Sequence, residues 1–406
     1  MPELALLGGS RTRSTPFPPW PQYDDGELAA LRQVLESRQW WRTPGTQTLT
    51  FERSFAAAHG AKYGIAVTNG THAIEVVMHA LGVGYGDEII VPDSTFIATA
   101  SAVLSVGALP VLVDVDPKTY NIDPKQVEAA ITPRTKAIIA VHMGGMPADM
   151  DALLDIANRH HLPLIEDSSH AHGSEWKGSR IGALGFAGTF SFQASKTMTA
   201  GEGGIILTND AEFERIARSV TDCGRMPGHS GYEHFIYASN YRLSEWQGAL
   251  LNVQLTRMDA QTKLRHHNAS LLDEILGGIK GLTPQLLDER CTRNGHYLYM
   301  FHYDPVAFGG LPTARFIEAV HAEGIPTQAS YPPLSALEVF RGGNYKKRIP
   351  PGMPDDALRH APFPNSERIM REVVCLPHAT LMGGASDLEE IGTAMLKIQE
   401  FVSELM

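Results

Sequence analysis

Short apolar runs alternate with amphipathic stretches through the first half of the chain. From about residue 51 to residue 207, the apolar runs predict β-strands, and stretches with helical spacing of apolar residues predict helices between them. The predicted strands are Tyr63–Thr68, Glu88–Val91, Leu109–Val113, Ala137–His142 and Pro163–Asp167. The predicted helices are Ala73–Leu81, Ala98–Leu104, Lys125–Ala130 and Met150–His160. Apolar strands that alternate with helices indicate a mostly parallel sheet covered by helices on both faces.

The flanking segments differ from this alternating region. An arm rich in Pro, Gly and Arg runs to about Pro21, and an amphipathic helix follows, with apolar positions Leu28, Leu31, Val34 and Leu35. A long helix is predicted over Ser244–Thr262, and the mixed elements beyond it include a Pro/Gly-rich stretch from Tyr331 to Pro364. Because 406 residues are too many for one small core, we predict an arm over 1–21, a large domain over 22–262 and a small α+β domain over 263–406.

Composition and charge restrict the class of protein. Apolar residues make up 43% of the chain and charged residues 19%, as in an ordinary soluble enzyme. The net charge of −11 argues against nucleic acid or an anionic membrane as the main partner. The three cysteines form no Cys-x-x-Cys pair, so neither a disulfide framework nor a zinc site is expected. Without a signal-peptide pattern or a run long enough to span a bilayer, the expected location is cytoplasmic.

The segment Thr189–Gly204 is the most informative part of the chain for chemistry. An apolar β run brings Ser191 and then Lys196 into a turn of small residues, and a Gly-Glu-Gly-Gly corner precedes another strand, Ile205–Leu207. An amine beside a phosphate-anchoring hydroxyl suits an enzyme that holds pyridoxal 5′-phosphate as a Schiff base. A solvated lysine near a hairpin is the alternative. The corner differs from a nucleotide-binding loop, because a strand and not a helix follows it.

Three other strand ends carry groups that suit the same cofactor. Gly70 and Thr71 open a helix, where free N–H groups bind phosphate; simple capping by Thr71 is the alternative. Asp167 ends a buried strand, where a carboxylate can pair with a protonated pyridine nitrogen; capping of the next element is the alternative. Phe96 follows a third strand and can stack on the cofactor ring, although a lone Phe is more often core. Ligands of such sheets bind beyond these strand ends.

Two histidines, His170 and His172, follow closely on Asp167 and raise the question of a metal. A pair of histidines one residue apart, with no further ligand at a suitable spacing, is weak evidence for a metal site. The sequence therefore predicts an organic cofactor at this strand end and no metal.

Taken in order, these segments resemble the DegT/StrS family of pyridoxal-phosphate-dependent aminotransferases, which aminate keto-sugars and cyclitols. The resemblance runs from Gly8-Gly9 to the Tyr331-Pro332-Pro333-Leu334 segment. Its specific motifs are Glu166-Asp167, Ser191-Phe192-x-x-x-Lys196, Gly201-Glu202-Gly203-Gly204 and Asn240-Tyr241-Arg242-Leu243-Ser244-Glu245. The resemblance implies fold type I, an α/β fold with a mostly parallel seven-stranded sheet between helices and a smaller α+β C-terminal domain.

The resemblance also implies roles for the strand-end residues. Lys196 corresponds to the Schiff-base lysine and proton shuttle, Asp167 to the partner of the ring nitrogen, and Phe96 to the ring-stacking residue. The residues that match the phosphate cradle are Gly70, Thr71 and Ser191.

Four further residues receive roles in the same way. His170 stands where many members carry a glutamine that contacts the 3′-oxygen of the ring. Asn240 matches a residue that reaches the cofactor of the neighbouring subunit, which implies a homodimer with shared active sites. Arg13 and Tyr331 are candidate substrate-pocket residues; an exposed arm arginine and a core tyrosine are the alternatives.

Two branches of the family share features with this chain. Trp40-Trp41-Arg42, the segment 193–201 and His170-Ala171-His172-Gly173 resemble the branch of 3-amino-5-hydroxybenzoate synthase, which dehydrates and aromatises an amino-cyclohexenone carboxylate. The segment 304–311 and Ile97-Ala98-Thr99-Ala100 resemble glutamine-dependent aminotransferases of inosose-type cyclitols in aminoglycoside pathways.

One departure from the family pattern bears on the substrate. Many nucleotide-sugar members carry a histidine where this chain has Ser335, which favours a small free ketone; neutral drift at this position is the alternative. We therefore predict transfer of an amino group from L-glutamine or L-glutamate to a cyclic polyol ketone in antibiotic or other specialised metabolism. The first alternative is an aromatising lyase that uses Lys196 as its base. The second is a non-catalytic regulator or partner subunit that binds the cofactor.

Overall fold

Strands and helices alternate through the first half of the chain, as the hydrophobic pattern predicts. A computed structural model describes residues 2–229, 231–348 and 362–406. Its strands are β1 Tyr63–Val67, β2 Glu88–Pro92, β3 Leu109–Val113, β4 Thr135–Val141, β5 Leu164–Asp167, β6 Glu175–Trp176, β7 Ser179–Arg180, β8 Ala187–Ser191, β9 Gly204–Thr208, β10 Leu282–Pro284, β11 Cys291–Arg293, β12 Leu298–Tyr303, β13 Gln328–Ala329 and β14 Val373–Pro377.

The helices follow the same alternation and continue into the C-terminal part. They are α1 Asp25–Ser37, α2 Gln47–Ala58, α3 Gly70–Ala80, α4 Ala98–Ser105, α5 Pro124–Ala130, α6 Met150–Arg159, α7 Ala211–Thr221, α8 Glu245–Gly277, α9 Thr313–Ala322, α10 Glu338–Arg341, α11 Pro364–Glu372 and α12 Ala385–Glu400. Among the described residues, no helix has both the length and the apolar character needed to cross a membrane.

Seven strands form the central sheet, in the order β1-β9-β8-β5-β4-β2-β3. The pairs β2–β3, β2–β4, β4–β5 and β5–β8 are parallel, whereas β9 is antiparallel to both β8 and β1. The link between β8 and β9 contains no helix, and a link of this kind returns the chain antiparallel. The predicted α/β fold with a mostly parallel sheet of seven strands is confirmed.

Both faces of the sheet are buried, which explains why its strands are apolar throughout. Along β2, Ile89 and Val91 belong to a core with α3, α4 and α7, and Ile90 belongs to a core with α5 and α6. The side chains alternate between the faces because consecutive residues of a strand point in opposite directions. Helices therefore cover the sheet on both sides and leave the carboxyl ends of the strands for function.

Helix α8 is longer than the sequence predicts. It begins after Ser244, whose capping box with Gln247 satisfies N–H groups of the first turn, and it continues to Gly277. The predicted end at Thr262 is wrong because Ala269, Leu272 and Leu276 continue the buried stripe of the helix into a second core. The predicted boundary between 262 and 263 falls inside this helix, and the division into domains stays a prediction.

The C-terminal part is an α+β structure around its own sheet. Strands β10-β12-β14-β13 are antiparallel, and their apolar residues pack with α9 and α12. Leu4 of the N-terminal arm is buried in this second core. A third sheet, β11-β6-β7, joins the two parts. Residues 349–361 of the predicted Pro/Gly-rich stretch lie outside the described residues.

Candidate active site

A cavity of about 690 Å³ lies beyond the carboxyl ends of the central strands. It brings together most of the residues that the sequence singles out, although they come from distant parts of the chain. The predicted residues that line it are Gly70, Thr71, Phe96, Asp167, His170, Ser191, Lys196 and Tyr331. Asn240 and Arg13 do not line it.

The first turn of α3 forms one end of the cavity. The helix is capped by Asn69, whose side chain accepts a hydrogen bond of 2.8 Å from the His72 N–H, so capping by Thr71 is wrong. The N–H groups of Gly70 and Thr71 have no acceptor within the helix and can bind an anion. A Cβ at position 70 would lie 2.7 Å from Cβ of Ser191, so only glycine lets the helix approach the Ser191 hydroxyl this closely.

The Gly-Glu-Gly-Gly corner closes the same end. Gly204 begins β9 and pairs with Val67 of β1 and with Ser191 of β8. A Cβ at position 204 would lie 2.4 Å from the Asn69 carbonyl oxygen. This glycine is therefore required for the close approach of β9 to the start of α3, and the corner has a packing function.

Asp167 is the last residue of β5, and its carboxylate faces the cavity. Its Oδ2 accepts a hydrogen bond of 3.0 Å from the Thr99 hydroxyl, and its Oδ1 accepts one of 3.3 Å from the Ser169 N–H. The bond from the Ser169 N–H is a local capping bond, as in the alternative in which Asp167 caps the next element. A nearly buried carboxylate with two neutral donors retains the capacity to bind a cationic N–H of a ligand. Sequence reasoning missed Thr99 as a partner of this carboxylate.

Lys196 projects its amine into the cavity, with Nζ 4.3 Å from the centre of the Tyr297 ring. Burial lowers the pKa of this amine to about 8, although the charge of Asp167 opposes the shift. About a tenth of the amine is therefore neutral, and hence nucleophilic, at pH 7.

The loop around Lys196 is held by residues that the sequence does not single out. The Trp20 indole N–H donates a hydrogen bond of 3.2 Å to the Ala194 carbonyl, and His378 Nε2 donates one of 3.1 Å to the Ser195 carbonyl. The two rings also contact each other edge to face at 4.5 Å. The N-terminal arm and the C-terminal part thus position the lysine loop together.

His170 lies between two tyrosines on the wall of the cavity. Its ring stacks on Tyr297 at 4.2 Å and on Tyr331 at 5.9 Å. Burial, and then the positive charge of Lys196, hold the pKa of His170 well below its usual value, so the imidazole is neutral. Its Nδ1 is buried without a hydrogen-bond partner among the described residues. A neutral imidazole can donate a hydrogen bond from its N–H to an oxygen of a ligand.

Tyr331 and Phe96 complete that wall. Their rings meet edge to face at 6.1 Å, and Phe96 is 52% exposed, which excludes the core alternative for this residue. The pKa of Tyr331 is raised, first by burial and then by the neighbouring Tyr297 phenol. Both residues line the cavity, as a stacking residue and a substrate-pocket residue must.

Arg13 does not line the cavity. It is not an exposed arm residue either, because its side chain is buried. The guanidinium is buried against Asp387 and Glu390 of α12, and it lies 3.9 Å from the centre of the Phe17 ring. These contacts attach the arm to the C-terminal part. The structure does not support a substrate-pocket role for Arg13 within its own chain.

Asn240 and Ser335 also lie away from the cavity. Asn240 is exposed, and its side chain accepts a hydrogen bond of 3.2 Å from the Arg242 N–H. Ser335 donates from its N–H and its hydroxyl to the buried carboxylate of Asp93, at 2.8 and 3.0 Å. The serine therefore fixes the segment after Tyr331 to the end of β2.

The donor set of the cavity fits pyridoxal 5′-phosphate. One end offers free N–H groups and the Ser191 hydroxyl for a phosphate, another wall offers the Asp167 carboxylate for a pyridinium nitrogen, and Lys196 offers a partly neutral amine for an aldehyde. Among the described residues, no group of three His, Cys, Asp or Glu side chains could hold a metal ion. Fold and site together define a fold-type-I pyridoxal-phosphate-dependent enzyme.

Comparison with known families agrees with this class. The model of the DegT/DnrJ/EryC1/StrS aminotransferase family matches residues 21–395, and the chain belongs to this family. It is therefore a pyridoxal-phosphate-dependent aminotransferase by family.

Individual relatives come from two branches. The chain is 42% identical to a 3-amino-5-hydroxybenzoate synthase of Amycolatopsis mediterranei, over 92% of this chain and 94% of the relative. It is 39% identical to an L-glutamine:2-deoxy-scyllo-inosose aminotransferase of Streptoalloteichus tenebrarius, over 99% of both chains. The crystal structure of a 3-amino-5-hydroxybenzoic acid synthase superposes with a TM-score of 0.87 at 40% identity, covering 97% of this chain and 100% of that chain.

Proposed function

We propose that the protein transfers an amino group from L-glutamine or L-glutamate to a cyclic polyol ketone, such as an inosose-type cyclitol or keto-sugar, in antibiotic or other specialised metabolism. The observation that carries the proposal is the shared cavity of Lys196 and Asp167, whose walls are rich in hydroxyl and amide groups. The full-length similarity to L-glutamine:2-deoxy-scyllo-inosose aminotransferases supports both the donor and the acceptor.

The residues of the cavity have separate roles in the proposed transamination. Pyridoxal phosphate, when bound, supplies an electron sink that acidifies the Cα–H of an amino acid. Gly70, Thr71 and Ser191 would hold its phosphate, and the Asp167 carboxylate would keep its ring nitrogen protonated. Lys196 Nζ takes a proton from Cα of the amino donor and, in the second half-reaction, delivers a proton to the carbon that receives the amino group.

His170 would contact the 3′-oxygen of the ring, and Phe96 would stack on the ring. Support for His170 comes from its neutral imidazole and its unpartnered Nδ1 among the described residues. An imidazole packed between two tyrosine rings cannot turn freely, so the plane of its ring is set before the ligand binds. Tyr331, on the same wall, would contact the substrate.

A homodimer with shared sites is part of the proposal. Tyr232, Phe235 and Tyr237, close to Asn240, are 87%, 48% and 97% exposed in the single chain. A cluster of exposed aromatic side chains is typical of a surface covered by a partner. Asn240 would then reach the cofactor of the neighbouring subunit. A cytoplasmic location agrees with three free cysteines, Cys223, Cys291 and Cys375.

The aromatising lyase is the second candidate, and the similarity to 3-amino-5-hydroxybenzoate synthase favours it. It needs the same cavity, with Lys196 as the base of an elimination. The non-catalytic alternative has less support, because a partner subunit has no need for an amine of lowered pKa beside a carboxylate.

The decisive experiment gives the holoenzyme two substrate sets. In the first, L-glutamine or L-glutamate is added with 2-deoxy-scyllo-inosose, and the aminated cyclitol is measured by mass spectrometry. In the second, an amino-cyclohexenone carboxylate is added without amino donor, and the ultraviolet absorption of an aromatic product is followed. Aminated cyclitol is the expected product. An aromatic product without consumption of a donor would favour the lyase, and no product from either set would favour the non-catalytic alternative.

A further inference from the structure

Three polar side chains beside Lys196 form a chain of hydrogen bonds along the cavity wall. Gln193 Oε1 lies 2.8 Å from the Ser195 N atom and 2.7 Å from Ser195 Oγ. Ser195 Oγ in turn lies 3.0 Å from the hydroxyl of Tyr297. All three residues line the cavity, and the transamination steps above assign no role to their polar groups.

The direction of every bond in this chain follows from one backbone group. The Ser195 N–H can only donate, so the oxygen and not the nitrogen of the Gln193 amide must face it. The Ser195 hydroxyl then donates to the same oxygen, because a carbonyl oxygen only accepts. Ser195 Oγ has thereby used its proton and must accept from Tyr297. The Tyr297 proton therefore points at Ser195 and away from any ligand.

This order gives the wall a fixed polarity toward a ligand. The Tyr297 hydroxyl oxygen has given its proton to the bond with Ser195, and beside its hydrogen bond with the Tyr331 phenol it offers a ligand only a lone pair, whereas the Gln193 Nε2 group offers two N–H donors. The Tyr297 ring is also held in place, since it stacks on His170 at 4.2 Å and lies under Lys196 Nζ. A ligand hydroxyl can both donate and accept a hydrogen bond. Two neighbouring hydroxyls of one ligand can therefore pair with the Tyr297 acceptor and the Gln193 donor.

We propose that Gln193, Ser195 and Tyr297 form a recognition site for ring hydroxyls of the acceptor ketone. Tyr297 Oη accepts a hydrogen bond from one ring hydroxyl, and Gln193 Nε2 donates to the oxygen of another. Ser195 touches no substrate atom in this arrangement; it is a positioning residue that holds the Tyr297 proton away from the substrate. The inference rests on the proposed function, because it requires a hydroxylated ketone as substrate.

The test compares 2-deoxy-scyllo-inosose with analogues in which one ring hydroxyl at a time is replaced by fluorine. Fluorine cannot donate a hydrogen bond, so one analogue should lose the bond to Tyr297 and show a KM raised about tenfold in the wild-type enzyme. Tyr297→Phe should raise KM for the parent ketone by a similar factor, with a smaller change in kcat, and should remove the difference between parent and analogue. Calorimetric Kd values for the same ketones and holoenzymes, without amino donor, should follow the KM values.

Ser195→Ala provides the readout that a merely structural role would not change. Without Ser195 Oγ as acceptor, the Tyr297 proton is free to turn toward the substrate and to donate to an acceptor-only group. The ratio of KM values for analogue and parent should therefore fall from about ten toward one. Tyr299→Phe is the matched control, because its hydroxyl bonds to Asp273 Oδ1 at 2.7 Å outside the cavity. This control should keep the wild-type ratio.

The outcomes separate the inference from the proposed function. If the wild type aminates the parent ketone, and Tyr297→Phe and Ser195→Ala keep the wild-type ratio for every analogue, the inference is wrong and the proposed function stands. If the wild type neither aminates nor binds the parent ketone, the proposed function fails and the inference fails with it. Thermal melting of each variant identifies any loss of folded protein before these comparisons are made.

Discussion

Two acidic neighbours on β5, Glu166 and Asp167, face opposite sides of the central sheet. Glu166 has no exposed surface, and its carboxylate accepts hydrogen bonds from the N–H groups of Gly182, Leu184 and Gly185 at 2.7–2.8 Å. His142 Nε2 lies 3.3 Å from the same carboxylate. Nearly all the hydrogen-bonding capacity of Glu166 is used within the chain.

Asp167 has fewer partners, and both are neutral donors. Only the Thr99 hydroxyl and the Ser169 N–H bond to it among the described residues, and its carboxylate lines the cavity. The comparison shows that the identity and burial of an acid do not reveal its function. A carboxylate whose acceptors are filled fixes structure, whereas one that retains acceptor capacity beside a cavity can bind a ligand.

Among the residues that line the cavity with Asp167, which we call the cavity face, the largest effect is expected from Lys196→Ala. Without an amine to move the proton, turnover should fall by about 10⁴-fold or more, and non-covalent binding of pyridoxal phosphate should remain possible. Product formation measured by mass spectrometry, and cofactor retention measured after gel filtration, check both parts. Normal activity in this variant would contradict the assignment of Lys196.

Asp167→Asn tests the same face with a smaller change. The amide keeps the shape of the side chain but cannot hold a pyridinium proton through its charge, so kcat should fall by about 10²-fold or more. The amide oxygen can accept the Ser169 N–H and the amide nitrogen can donate to the Thr99 hydroxyl, so the melting temperature of the apoprotein should change little. A kcat near the wild-type value would show that the charge of Asp167 is not needed.

Glu166→Gln should give the opposite result and so sharpen the comparison. The single oxygen of an amide can accept the Leu184 and Gly185 N–H groups, but the amide NH2 would then face the Gly182 N–H, so the free energy of unfolding should fall by about 2 kcal/mol. The kcat per folded molecule should stay near the wild-type value, because this side chain does not face the cavity. Urea denaturation measures the first quantity and steady-state kinetics the second. A large loss of kcat without loss of stability would overturn the structural role.

The pH dependence of cofactor binding tests how burial affects the cavity face. Only the neutral amine can attack an aldehyde, so covalent loading of apoenzyme should speed up about tenfold per pH unit below pH 8 and level off above it. The midpoint should lie near the lowered pKa of about 8 for Lys196. Asp167→Asn removes a charge that raises this pKa and should shift the midpoint lower. A midpoint near 10.5, the ordinary value for lysine, would contradict the effect of burial.

The sequence predicts the strand ends of the large sheet and most of the candidate site well, for a physical reason. Buried strands must be apolar, so the acidic pair Glu166-Asp167 that follows the apolar run Leu164-Ile165 marks the end of a strand. Gly70 and Ser191 are predictable in the same way, because Gly70 lies shortly after strand β1 and Ser191 ends strand β8. Phe96 also follows an apolar strand, and only the structure shows that it is exposed.

What the sequence does not predict depends on contacts between distant segments. Trp20 and His378 carry no local signal of their role, since the carbonyl groups that they bind lie 174 and 183 residues away along the chain. Arg13 shows the same limit, because its partners Asp387 and Glu390 lie near the other end of the chain. The extra length of α8 was missed since its apolar stripe continues into a second core.

The two anchors of the lysine loop have a consequence for synthesis of the protein. A chain emerges from the ribosome with its N-terminus first, and domains generally fold in that order. Trp20 is then present early, but His378 arrives among the last residues of the chain, and the loop has its full set of hydrogen bonds only after that. A nascent or truncated chain therefore has the lysine without its final support.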